Sequence, residues 1–163
     1  MNAFGTYVHT TIEQAGHHAG RDGSATIEAQ HLLLAIAAQQ GTTAQQVLTS
    51  AGLDQHAIRQ ALDREFGHGL RAAGVSRAAF DLPQPSSDHE RSARVGASAK
   101  LALERGVAAA ARKKELQSAQ LLLGILEAHL GTVPRALALA GIDQADLTAR
   151  VRQALTKGGW TGP

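Results

Sequence analysis

The chain repeats itself. Sliding the 163-residue sequence against itself by 89 positions aligns residues 8–66 with 97–155 without a gap. Within 32–55, ten of the 24 aligned pairs are identical, among them Leu32/Leu121, Leu33/Leu122, Leu34/Leu123, Ile36/Ile125, Leu48/Leu137, Gly52/Gly141 and Asp54/Asp143. Chance in a chain so rich in Ala and Leu supplies roughly two or three, so duplication is the better explanation. One copy's local structure therefore constrains the other's.

Each copy reads as four helices. Residues 4–20 and 91–110 open the copies, with Ile12, Ala15, Leu101 and Leu103 on the inward faces. Residues 28–40 and 117–130 follow, and their Leu-Leu-Leu runs are too apolar for a surface helix, which makes them central. Short helices come next at 43–51 and 132–140. Thr43 and Gln46 have capping-box spacing, and Pro134 falls in a first turn where its missing N–H costs nothing. Gly52 and Gly141 suit the left-handed residue just past a helix end. Asp54 and Asp143 can cap the last helices, where Ile58, Leu62 and Phe66, or Leu147, Val151 and Leu155, recur at i, i+4, i+8.

Composition agrees with this pattern. Hydrophobic residues make up 44% of the chain but aromatics only 3%, so the core is built from Ala, Leu, Val and Ile in closely packed helices. The expected fold is all-α: two tandem pseudo-symmetric four-helix repeats, eight helices in one compact domain over 1–163. Repeat one covers about 4–66, a linker 67–90, repeat two about 91–156 and a tail 157–163. The linker holds Gly67-His68-Gly69, Gly74 and Pro83-Gln84-Pro85-Ser86-Ser87, interrupted by Ala78-Ala79-Phe80-Asp81-Leu82. That apolar patch either tacks onto the surface or docks in a groove.

Several function classes fall away. No cysteine is present, which excludes a disulfide scaffold and a thiolate zinc site. No segment has the form of a signal peptide or reaches the roughly 18 apolar residues of a membrane span, so a cytoplasmic protein with no membrane partner is expected. Sixteen Lys+Arg against fourteen Asp+Glu give +2, too little to steer the chain strongly to phosphate backbones. The one dense basic run, Arg112-Lys113-Lys114, has no aromatics interleaved for base stacking, so nucleic acid is not the expected partner. None of the four lysines ends a G-x-x-x-x-G-K-[ST] loop, so no ATP-phosphate cradle is present. Among the eight histidines, His17 and His18 are adjacent and point about 100° apart on a helix. His9, His56, His68, His89 and His129 show no i, i+4 pairing with one another or with a suitable carboxylate. No metal, no cofactor and no activated nucleophile is expected.

A family resemblance rests on two motif pairs. Ile27-Glu28-Ala29-Gln30-His31-Leu32-Leu33-Leu34-Ala35-Ile36 resembles the Clp N-terminal repeat, whose hallmark is Ile-Gly-Thr-Glu-His before a Leu-rich helix. Val47-Leu48-Thr49-Ser50-Ala51-Gly52-Leu53-Asp54 is similar to that family's next helix and turn. Ser118-Ala119-Gln120-Leu121-Leu122-Leu123-Gly124-Ile125-Leu126 and Ala136-Leu137-Ala138-Leu139-Ala140-Gly141-Ile142-Asp143 repeat both at matching places.

The resemblance implies a substrate- and adaptor-receiving module, the part that sits ahead of AAA+ unfoldase rings. With no ring motifs, a first Met and a tail that runs just past the fold, a free-standing protein is expected rather than an excised N-domain. In some relatives the Glu of both Thr-Glu-His motifs holds the guanidinium of phosphoarginine, and here those positions are Gln30 and Ala119. The motif His survives as His31 and becomes Gln120 in the second copy. Relatives that bind cyclic-peptide antibiotics use an aromatic clamp. Phe4 matches its first half, Ala93 stands at the second, and Phe80 is the available substitute. The peptide- or ligand-binding residues implied are thus Phe4, Tyr7, Gln30, His31, Phe80, Ser118 and Gln120. Partners would be proteins or peptides, including Clp ATPase or protease components or cyclic peptides. As receptor, decoy or antibiotic-sequestering module, the chain would have no enzymatic activity. The second class of function is a regulatory module that binds nucleic acid or a partner unrelated to proteolysis.

Overall fold

Apolar positions at helical spacing, punctuated by Gly and Asp, fold into eight helices among the residues that the computed structural model describes, 3–74, 94–109 and 118–156. In chain order they are α1 (Ala3–Arg21), β1 (Thr26–Ile27), α2 (Ala29–Ala38), α3 (Thr43–Ser50) and α4 (Gln55–Ala72), then β2 (Arg94–Val95), α5 (Ala97–Ala109), α6 (Ser118–Leu126), α7 (Thr132–Leu139) and α8 (Gln144–Thr156). The starts of α6, α7 and α8 each fall 89 residues after those of α2, α3 and α4. The duplication read from the residues is thus a duplication of structure.

α2 and α6 form the centre. Leu32, Leu33, Leu34 and Ile36 on one, and Leu121, Leu122, Ile125 and Leu126 on the other, are all buried, so each helix is apolar on every side because neighbours cover every side. α1 packs on α2 and α5 on α6, while α4 crosses to α7 and joins the two copies. The α5–α6 contact depends on two glycines. A Cβ on Gly124 would overlap the Ala102 carbonyl and the Gly106 backbone, so the helices approach backbone to backbone.

Helix ends follow the expected chemistry with one shift. Asp54 accepts from the Ala57 amide at 2.7 Å, and Asp143 from the Ala145 and Asp146 amides at 3.0 and 3.2 Å. Gly52 and Gly141 take φ of 79° and 76°, the left-handed region that closes a helix. The α3 cap is Thr42, whose hydroxyl accepts from the Gln45 amide, one residue before the expected Thr43.

Five expectations are corrected. β1 and β2 pair in parallel, Thr26 with Arg94 and Ile27 with Val95, so α5 begins at Ala97 rather than near 91. α6 stops at Leu126, leaving 127–131 as a loop. α4 runs past Phe66, through Gly67 and Gly69, to Ala72. Leu101 and Phe66, expected inward, are 46% and 50% exposed. The buried stripe of α5 is Ala99, Ala102 and Gly106, because only small residues fit so close a helix contact. On α4 the buried stripe is Ile58, Ala61 and Leu62, and Phe66 lies on the overhang beyond it. His9 also faces Glu13 one turn on, at 3.9 Å, so one histidine does have an i, i+4 carboxylate where none was expected.

Candidate functional site

Two neighbouring clefts open where the copies meet. The larger, of 570 Å³, lies between the start of α2, the outer face of α5 and the 127–131 loop. Leu101, Ala102, Ile125, Leu130 and Val133 give it an apolar lining. Glu28, Arg105, Glu127, His129 and Arg135 supply its charged and titratable groups. Its volume falls within the range of ordinary ligand pockets. The smaller, of 340 Å³, runs between α4 and the α1–α2 turn and is lined by Asp22, Arg59, Asp63 and Phe66 among others. Gln30 and Thr132 line both.

The wall of the larger cleft is held by α8. The side-chain amide of Gln144 donates to the Leu126 and Ala128 carbonyls at 2.8 and 2.7 Å, satisfying acceptors that the end of α6 leaves open. At the loop's close Gly131 takes φ of 115°, which a side chain would resist. A loop so fastened presents Leu130 to solvent, 90% exposed. Across the cleft Glu28 is fixed at the seam. Its carboxylate accepts from Ser98 Oγ at 2.6 Å and from Thr26 Oγ1 at 3.1 Å. Ser98 Oγ in turn accepts from the Ala29 amide at 2.8 Å.

The smaller cleft rests on a chain of polar groups. His31 Nδ1 accepts from the Glu28 amide at 2.9 Å, so Nε2 carries the proton and donates to Asp22 Oδ2 at 3.2 Å. Arg59 donates to Asp22 Oδ1 at 2.9 Å and to His18 Nδ1 at 3.2 Å. Burial alone would raise the Asp22 pKa, but the His31 hydrogen bond and the Arg59 charge outweigh it and hold it below the usual range. Burial, aided by the Arg59 and Arg21 charges, pushes His18 down to about 4.

The residues implied by resemblance scatter across this frame. Gln30 lines both clefts and His31 the smaller, though His31 is itself buried and acts as a brace. Tyr7 is buried in the core, and that burial pushes its phenol pKa up. Ser118 is buried, with its hydroxyl accepting from the Ala44 amide at 3.1 Å. Gln120 is buried in α6, on whose backbone Gly106 packs. Phe4 falls in α1, but its side chain lies outside the described residues, as do Phe80, Ala93 and Arg112-Lys113-Lys114. The structure thus brings Gln30 and His31 together and leaves Tyr7, Ser118 and Gln120 in the core. The cleft residues missed by sequence were Leu101, Arg105, Glu127 and Leu130. The available signal was Leu130 itself, an apolar residue between His129 and Gly131 at a helix end.

Among the described residues no three His, Asp or Glu side chains converge as a metal site would require. No helix among them is long and apolar enough to cross a membrane. Two helical repeats meeting over an apolar, charge-rimmed cleft define a helical-repeat domain. The family model for the Clp repeat (R) N-terminal domain matches residues 3–94, and the chain belongs to that family. It is therefore a module related to the Clp chaperone–protease system, of a domain type that is non-catalytic and generally binds protein partners or substrates. No curated protein matches the chain.

Proposed function

We propose that this chain is a non-enzymatic polypeptide-binding module of the Clp system, acting in the cytoplasm, and that the larger cleft is its receiving surface. The observation that carries this reading is the exposure of Leu101 and Leu130 on one cleft, in a domain whose leucines on α2 and α6 are all buried. Apolar side chains converging on a concave surface, on a loop held rigid from behind, favour an extended segment that contributes its own apolar side chain. A substrate or adaptor segment is such a ligand.

Two narrower roles use the same surface: a decoy that competes for Clp substrates, and sequestration of an apolar cyclic peptide. Fluorescence polarisation with a labelled, leucine-bearing unfolded peptide tests the reading. Leu101→Asp and Leu130→Asp should each weaken binding about tenfold, because each removes a buried apolar contact in the complex. Both side chains are exposed in the free protein, so the urea midpoint should hold. Unchanged affinity in both variants would move the site elsewhere.

A further inference from the structure

The larger cleft holds charges that the fold does not use. Glu28 is committed to Ser98 and Thr26, and Arg135 pairs with Glu65 at 2.9 Å. His129 is exposed on the rim. Arg105 and Glu127 remain, both half-buried cleft residues whose side chains have no hydrogen-bond or ion-pair partner among the described residues. They are not close enough to pair with each other. Half-burying a guanidinium and a carboxylate uncompensated costs solvation that nothing within the fold returns.

Nor does the repeat require these charges. The residues 89 positions earlier are Gly16 and Ala38, so the first copy folds with neither. Leu130 corresponds to Gly41 in the same way. A cation, an anion and an exposed leucine are thus features the second copy has and the first lacks, and all three line one cleft.

Building on the function proposed above, we infer that the cleft recognises polypeptide segments of a particular charge order. An apolar side chain lies over Leu101 and Leu130, a carboxylate meets Arg105 on the α5 wall, and a cationic group meets Glu127 on the wall formed by the 127–131 loop. The leucines give affinity for any apolar segment. The two charges act on direction, because a segment laid the opposite way brings like charges together at both ends.

Three acetylated, amidated peptides test this. Each carries Leu-Leu in an Ala/Ser frame, with Glu before and Lys after, Lys before and Glu after, or Gln on both flanks. Calorimetry at low salt on the full chain should show one charged order binding about threefold to tenfold more tightly than the other, as expected for two partly exposed ion pairs. The preference should invert in an Arg105→Glu, Glu127→Lys double variant. That variant should keep the natural urea midpoint, since neither side chain has a partner to lose. If all three peptides bind alike, charge-order recognition is overturned while peptide binding stands. If none binds, the underlying reading fails as well. Self-association abolished by Leu130→Asp, with no peptide bound, assigns the cleft to a second copy and overturns both.

Discussion

Ser98 Oγ donates to Glu28 Oε2 at 2.6 Å, which ties the first turn of α5 to the residue just before α2 and so joins the two repeats. The same hydroxyl accepts from the Ala29 amide at 2.8 Å. β1 and β2 pair beside it, and the Gly96 amide donates to the Ile27 carbonyl at 2.8 Å. Glu28 and Ser98 also line the larger cleft, so the seam and the candidate binding wall are one structure.

Ser98→Ala should therefore cost about 1–3 kcal/mol. It removes a charge-assisted bond and leaves a partly buried carboxylate and an amide short of a partner. Ser98→Thr keeps the hydroxyl and should recover much of the loss. Urea denaturation of the three proteins measures it. A Ser98→Ala midpoint equal to that of the natural chain would mean that water replaces the hydroxyl at no cost.

Two glycines separate close packing from mere helix flexibility. Gly124→Ala should destabilise by about 3 kcal/mol or more, because the new methyl meets the Ala102 carbonyl and the Gly106 backbone, neither of which can swing aside. A methyl at Gly20, in α1, would meet nothing within 4 Å, so Gly20→Ala should stabilise by about 0.5–1 kcal/mol through a stiffer unfolded chain. Thermal melts of both variants read the opposite signs directly.

Much of this architecture is legible in the residues because helix punctuation is local. Leu-Leu-Leu, Gly52, Gly141, Asp54 and Asp143 each act within a few positions, and they place three helix starts of the second copy correctly. The cleft is not local. Hydropathy points Leu101 inward, but the α5–α6 contact selects Ala99, Ala102 and Gly106, the residues small enough for it, and Leu101 turns out. The early end of α6 depends on Gln144, far along the chain, which takes up the Leu126 carbonyl and that of Ala128 in the loop beyond. Two-residue strands such as Thr26–Ile27 leave no periodicity to detect.

The Asp22–Arg59–His18 cluster makes the fold acid-sensitive in a defined window. His18 titrates near 4 when folded against 6.5 unfolded, so between those values the unfolded chain binds a proton that the native chain refuses. Its contribution is complete above about pH 6.5 and is lost as pH falls toward 4. Asp22, also lowered from 3.8, adds a loss of the same sign at more acid pH. His18 is only half-buried, so the window is worth about 1–2 kcal/mol after allowing for solvent screening. Urea midpoints at pH 7.5 and 4.5 should differ less in His18→Asn than in the natural chain. An identical pH slope in the two proteins would remove His18 from the account.

Gln30 and Ala119 stand where the resemblance implies two carboxylates, and their surroundings differ. Gln30 is half-buried where the clefts meet, whereas Ala119 is fully buried in the first turn of α6. A carboxylate at 30 keeps contact with water, while one at 119 is desolvated in the core. Gln30→Glu should therefore leave stability within about 0.5 kcal/mol, and Ala119→Glu should cost about 3 kcal/mol or more. For a phosphoarginine peptide, the natural chain should bind weakly, since an amide cannot pair bidentately with a guanidinium. Gln30→Glu alone should gain about threefold to tenfold, the share of a charge-assisted bond that survives desolvation. Adding Ala119→Glu should gain nothing more, because that side chain does not reach either cleft. Calorimetry with the phosphoarginine peptide and its unmodified arginine control, beside urea melts, measures both halves. Micromolar binding by the natural chain would make the acidic pair dispensable. A stable Ala119→Glu protein that binds more tightly than Gln30→Glu would mean that the first turn of α6 opens in solution and that the two positions share one pocket.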